Sequence, residues 1–85
     1  MNDRERVRFY DMLSAAREAL SFIAGRDTVN LRQERILFLA LVKEIEIIGE
    51  AASQISAVTR DLFPEIPWKP IIGMRNELIH VYGAV

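Results

Sequence analysis

Apolar residues recur every three or four positions through two long stretches of this chain, and that spacing restricts both stretches to amphipathic helices. We predict the first helix from about Asp3 to Ala24. Its apolar stripe consists of Phe9, Leu13, Ala16, Leu20 and Ile23. Asp3 is placed to cap the start of this helix, and Gly25 is placed to end it.

The second stretch predicts one continuous helix from about Leu31 to Val58, with Thr28 or Asn30 as its cap. Its apolar stripe consists of Leu37, Leu41, Ile45, Ile48, Ala52 and Ile55. Three small residues share one face of this helix: Gly49, Ala52 and Ser53. Another helix can approach closely there, and ordinary helix packing is sufficient to explain such a face.

A connection rich in helix breakers follows, from Arg60 to Pro67. Pro67 is placed to open a last helix, which we predict from about Trp68 to Tyr82 with Gly83 at its end. No alternation of apolar and polar residues is long enough to predict a strand. We therefore predict a single all-α domain over residues 1–85, an antiparallel helical bundle.

Length and composition narrow the classes of function. A chain of 85 residues buries a modest share of its surface, so pairing with a second copy would help it. Its net charge is −1, so any contact with RNA must come from a local basic patch. It has no cysteine and one histidine, which disfavours zinc sites and excludes disulfides. We expect neither a signal peptide nor a membrane span, and therefore a cytoplasmic protein.

The residues able to support chemistry are concentrated in the last predicted helix. Arg75, Asn76, His80 and Tyr82 fall within about two turns, and His80 is the single histidine of the chain. In a helix, Arg75 and His80 are roughly 140° apart around the axis and ~7.5 Å apart along it. They can converge if the helix frays at His80, or if a second copy supplies the opposite wall of a shared pocket.

These residue types suit cleavage of RNA. The guanidinium of Arg75 offers a fork of donors that matches phosphate oxygens. His80 can take a proton from a ribose 2′-hydroxyl, which then attacks the adjacent phosphorus and leaves a 2′,3′-cyclic phosphate without a metal ion. A purely structural role is also open, because a histidine in the last turn satisfies carbonyl groups and the helix dipole.

The run from Ile66 to Tyr82 resembles the signature of the HepT-like branch of the HEPN superfamily. It contains Pro-Trp, Gly-Met and a complete Arg-x4-His-x-Tyr motif, and the stretch from Ile47 to Ala52 is similar to the second long helix of that family. The resemblance covers nearly the whole chain. It implies the helical bundle of the HEPN type and a homodimer.

The resemblance also implies a function. HepT-like proteins are toxins of type VII toxin–antitoxin pairs and metal-independent endoribonucleases that act on RNA such as mRNA or tRNA. Their catalytic residues correspond to Arg75 and His80, and Asn76 corresponds to a supporting residue. Tyr82 corresponds to the tyrosine on which a minimal nucleotidyltransferase, the antitoxin, places AMP. ATP and magnesium belong to that partner, so no cofactor is expected for this chain.

Family members usually continue past the motif into a final helix, whereas this chain ends at Val85. We therefore expect the final helix to be absent, and the apolar side left open to favour self-association.

Other interpretations use other residues. Glu46 and Glu50 share a helix face and could form a carboxylate metal site, but they have no histidine partner. Support of Arg75 by Glu50 is the interpretation that we favour. A basic strip for RNA could be formed by Arg4, Arg6, Arg8 and Arg17, but acidic residues lie between these arginines. The alternative to an enzyme is a non-catalytic helical module that binds a nucleotide or a protein, and the effect of replacing His80 distinguishes the two.

Overall fold

The protein folds as a bundle in which one central helix carries the other long helices on its sides. The structure, a computed structural model, describes residues 1–83 apart from the side chains of Thr28 and Tyr82. Its helices are α1 (Asp3–Ile23), α2 (Thr28–Gln33), α3 (Arg35–Ser53), α4 (Ala57–Asp61) and α5 (Trp68–Tyr82). Both α1 and α5 pack against α3. The prediction of an all-α bundle is confirmed, and the described residues contain no strand.

The prediction of one continuous helix from Leu31 to Val58 is wrong, because the chain is interrupted twice. At Glu34 the backbone leaves the helical region, with φ −92° and ψ 85°, and the Glu34 carboxylate pairs with Arg26 Nε at 3.0 Å. After Ser53 the chain turns, and the Ser56 hydroxyl accepts a hydrogen bond from Thr59 N at 3.2 Å. Serine offers the backbone this alternative to a continued helix. Part of the predicted connection after Arg60 is therefore the end of α4.

Two of the predicted helix caps are displaced by one residue or more. Asn2, not Asp3, caps α1 by accepting a hydrogen bond from Glu5 N at 2.9 Å. Asp27, not Thr28 or Asn30, caps α2 by accepting one from Asn30 N at 2.8 Å. Several adjacent residues in each stretch have side chains suited to capping, so the sequence does not decide between them.

The core lies where α1, α3 and the start of α5 meet. Ala52, Ile55 and Trp68 are buried together, and Phe9 and Phe63 pack against them. The Trp68 indole donates a hydrogen bond to the Phe63 carbonyl at 3.0 Å. Trp68 is thus a core anchor at the start of α5.

The predicted stripe of α1 is only partly buried. Leu13 and Leu20 remain at least half exposed, whereas Glu5 and Ala15 are buried. Glu5 accepts hydrogen bonds from Thr59 Oγ1 and Ser56 N, and these bonds lower its pKa. A carboxylate thus takes the place of an apolar residue where α1 meets α4. None of the helices described is both long enough and apolar enough to cross a membrane.

A buried carboxyl group on α3 makes the stability of the fold depend on pH. Glu44 is 6% exposed, and its Oε2 atom has no hydrogen-bond partner among the described residues. Burial raises the pKa of Glu44, and the hydrogen bond and negative charge of Glu18 raise it further. Because the folded-state pKa lies above the unfolded value, stability is greatest at acidic pH and declines as the pH rises through the folded-state pKa.

We therefore expect Glu44→Gln to stabilise the protein at about pH 8, on the order of 1 kcal/mol or ~4–8 °C in Tm. At about pH 4.5 the gain should be smaller, because a larger fraction of the wild-type carboxyl group is then protonated in the folded protein. Thermal unfolding at both pH values measures this difference. The control is Glu65→Gln, which removes a carboxylate from an exposed position. A gain of equal size at both pH values would contradict the expectation.

Candidate active site

Arg75 of α5 packs directly against Gly49 of α3. A Cβ atom added at Gly49 would lie 2.1 Å from Arg75 Cβ and 2.7 Å from Arg75 Cγ. Only a glycine at position 49 therefore allows the two helices to approach this closely. Two residues of the predicted small-residue face, Gly49 and Ala52, are buried against α5, whereas Ser53 is exposed. The residue opposite Gly49 is Arg75 itself.

The guanidinium of Arg75 is oriented by two neighbouring side chains. Its Nη2 donates a hydrogen bond to Glu50 Oε2, and its Nη1 donates one to Asn76 Oδ1 at 2.8 Å. Its Nε is buried and has no partner among the described residues. Three of the predicted site residues, Arg75, Asn76 and Glu50, therefore lie together. Charge-assisted hydrogen bonds of this kind fix a guanidinium in one orientation.

A cavity of about 370 Å³ opens beside Arg75 and is lined by residues of α1, α3 and α5. Its ionisable lining residues are Arg8, Asp11, Lys43, Glu46, Glu50 and Arg75. Its volume lies in the range of small-molecule sites. Among residues 1–83, no three acidic or histidine side chains are grouped so as to hold a metal ion, and Glu46 is paired with Lys43 instead.

His80 occupies a different position from Arg75. It is exposed in the last turn of α5 and is not among the residues that line the cavity. The helix continues regularly to Tyr82, so it does not fray at His80 as one of our hypotheses required. Tyr82 is the last residue of α5, and its side chain lies outside the described residues. A single chain therefore brings Arg75, Asn76 and Glu50 together, but it does not bring His80 into their cavity.

Comparison with known proteins assigns the family. The model of the HepT-like family, described as "Ribonuclease HepT-like", matches residues 12–85. This chain belongs to the HepT-like family. The match includes α3, α5 and the complete Arg-x4-His-x-Tyr motif.

The relatives of this HepT-like protein carry names that agree with the family. "Putative RNase MJ1380" of Methanocaldococcus jannaschii is 37% identical over 76 residues, which cover 89% of this chain and 70% of the relative. "Putative RNase MJ0125" of the same organism is 34% identical over 76 residues, 89% of this chain and 66% of the relative. "Probable ribonuclease HepT" of Thermococcus cleftensis is 46% identical over 46 residues, 54% of this chain and 42% of the relative.

This chain spans about two thirds of the length of the first two relatives. No solved structure matches it.

Two features of the site do not follow from the sequence: the contact of Gly49 with Arg75, and the presence of Arg8 and Lys43 in the cavity. The small residues around Gly49 predict helix packing but not the contact with Arg75, because spacing within one helix does not specify the residue opposite on another. The sequence pattern does not single out Lys43, and it indicates Arg8 only as part of a possible basic strip along α1. The sequence offers one signal for each cation: Arg8 lies about one helical turn before Asp11, and Lys43 lies about two turns before Glu50. Opposite charges at such spacings are too common in helices to identify a site.

Proposed function

We propose that this HepT-like protein is a metal-independent endoribonuclease that works as a homodimer. The observation that carries the proposal is the fixed guanidinium of Arg75 at the wall of a cavity, within a complete Arg-x4-His-x-Tyr motif. A planar fork of donors held in place suits a phosphate whose negative charge increases during reaction. The names of the relatives support RNA as the substrate.

The reaction we propose is an internal transesterification. His80 accepts the proton of a ribose 2′-hydroxyl, and the 2′-oxygen attacks the adjacent phosphorus. The bond from phosphorus to the 5′-oxygen breaks, and the departing oxygen takes up a proton. The products are a 2′,3′-cyclic phosphate and a 5′-hydroxyl. Arg75 stabilises the charge on the non-bridging phosphate oxygens, while Asn76 and Glu50 keep its guanidinium in position.

The exposed position of His80 supports a role for a second copy of the chain. Arg75 faces the cavity and His80 does not line it, so a neighbouring α5 would supply the missing wall. A two-fold axis near the last helices would place two arginines and two histidines in a composite pocket. The size of the chain and its exposed apolar residues favour such pairing.

We also propose that the protein is the toxin of a toxin–antitoxin pair and that a minimal nucleotidyltransferase neutralises it. In this proposal the partner transfers AMP to Tyr82, two residues beyond His80. The added phosphate brings negative charge and the nucleoside brings bulk. Both would oppose the entry of an RNA phosphate into the pocket. The candidate substrates are mRNA and tRNA.

The test is cleavage of RNA in the presence of EDTA, comparing the wild type with His80→Ala. We expect the wild type to produce 2′,3′-cyclic phosphate ends and the variant to be slower by about a hundredfold or more. Circular dichroism and light scattering should show an unchanged fold and oligomeric state, because His80 is exposed. Binding of RNA or nucleotide without cleavage by a folded dimer would favour the non-catalytic binding module instead.

A further inference from the structure

Two further cations line the cavity that contains Arg75. Arg8 reaches it from α1 and Lys43 reaches it from α3, so three helices each contribute one positive charge. The side chains of Arg8 and Lys43 are 38% and 49% exposed. Both cations can therefore meet a ligand that enters the cavity from solvent.

Arg8 and Lys43 are each held only by a long ion pair to a neighbouring carboxylate. Arg8 Nη1 lies 3.9 Å from Asp11 Oδ2, and Lys43 Nζ lies 3.9 Å from Glu46 Oε2. These separations exceed the length of a hydrogen bond. Neither side chain makes a hydrogen bond to another residue in the described part of the chain, in contrast to Arg75. A phosphate oxygen could therefore bind each cation by loosening a long ion pair, without breaking a hydrogen bond.

The residues that line this cavity carry equal numbers of positive and negative charges, so its affinity for an anion depends on where each charge lies. The lining contains three cations and three carboxylates: Arg8, Lys43 and Arg75, and Asp11, Glu46 and Glu50. Two of the carboxylates are poorly placed to repel a ligand: the side chain of Glu46 is only 8% exposed, and Glu50 is engaged by Arg75. Asp11 differs from both: its side chain is 41% exposed, and its distance of 3.9 Å from Arg8 is longer than a hydrogen bond, whereas the 48% exposed Glu50 is hydrogen-bonded to Arg75.

We propose that Arg8 and Lys43 bind backbone phosphates of single-stranded RNA next to the phosphate at Arg75. This inference rests on the proposed ribonuclease function and identifies the cavity as the site that holds the flanking nucleotide. A chain with net charge −1 has no strong overall attraction for RNA, so affinity must come from a few local cations. The geometry also makes Asp11 a residue that weakens RNA binding.

The experiment measures RNA binding in a His80→Ala background, so that cleavage does not interfere. The probe is a fluorescein-labelled, mixed-sequence single-stranded RNA of about a dozen nucleotides, followed by anisotropy between ~50 and ~200 mM salt. Arg8→Gln and Lys43→Gln should each lower affinity by about threefold to tenfold at the lower salt concentration. Each should also reduce the slope of log K against log salt by about 0.7.

Matched controls separate this site from a general effect of charge. Arg32→Gln and Lys69→Gln remove the same charge from exposed positions outside the cavity, so they should leave the slope unchanged. Asp11→Asn should increase affinity, because it removes the exposed carboxylate beside Arg8. Equal losses in the cavity variants and the controls would overturn the inference, as would an absence of RNA binding by the folded protein.

Failure of this inference can be distinguished from failure of the proposed function. Binding that depends on Arg8 and Lys43, in a protein that never cleaves RNA, would uphold the phosphate site and refute the ribonuclease. Cleavage with an unchanged KM in Arg8→Gln and Lys43→Gln would uphold the ribonuclease and refute the phosphate site.

Discussion

Arg75→Lys is expected to lower RNA cleavage by about a hundredfold to a thousandfold while the protein keeps its fold. Lysine retains the positive charge and the Cβ and Cγ atoms that contact Gly49. It loses the planar fork that binds Asn76 and Glu50 simultaneously. A compact ammonium on a flexible stem is not held in one orientation, so it stabilises a phosphate transition state less well.

Single-turnover cleavage of RNA in EDTA measures the effect of Arg75→Lys on catalysis, and thermal unfolding measures its effect on stability. Tm should change little, because the Arg75–Glu50 pair is partly exposed and such pairs contribute about 0–1 kcal/mol. Glu50→Gln serves as the companion variant: it keeps a hydrogen-bond acceptor, so we expect a smaller loss of activity. Full activity in Arg75→Lys would show that the guanidinium fork does not act on the phosphate.

The sequence predicts the helices best where its signals are local. The ends of α1 and α5 follow from Gly25 and Gly83, whose positive φ angles of 73° and 70° suit the residue after a helix. The interruptions around α3 depend on contacts between distant segments. Ser56 N donates a hydrogen bond to Glu5, which is 51 residues away. The apolar spacing up to Ile55 contains no information about that contact.

The sequence predicts which residues form the site better than it predicts the contacts between them. Glu50 could be proposed as a partner of Arg75, because it projects from the second predicted long helix. The hydrogen bond between Arg75 and Asn76 does not follow from the sequence, because adjacent residues of a helix do not face each other. The position of His80 away from Arg75 is consistent with the angle that five residues subtend in a helix. The contact between Gly49 and Arg75 could not be predicted, because it depends on how α5 lies across α3.

That contact predicts a large effect on stability. Gly49→Ala would place a methyl group 2.1 Å from Arg75 Cβ and 3.2 Å from the Ile71 carbonyl oxygen. Neither neighbour is the end of a flexible side chain, so α5 must move away from α3. Overpacking of this kind costs about 1–3 kcal/mol or more, and ~4–8 °C in Tm for each kcal/mol in a chain of this size. Because Arg75 would move with α5, cleavage of RNA should fall as well.

Gly73→Ala provides the matched control, because Gly73 lies inside α5 and an added Cβ there meets nothing within 4 Å. Alanine favours a helix interior over glycine by about 1 kcal/mol, so Gly73→Ala should raise Tm while Gly49→Ala lowers it. Intrinsic helix propensity favours both substitutions equally. Opposite signs in thermal unfolding would therefore measure the contact of α3 with Arg75. A gain in Tm for Gly49→Ala similar to that for Gly73→Ala would show that α5 does not need glycine at position 49 to hold Arg75 in place.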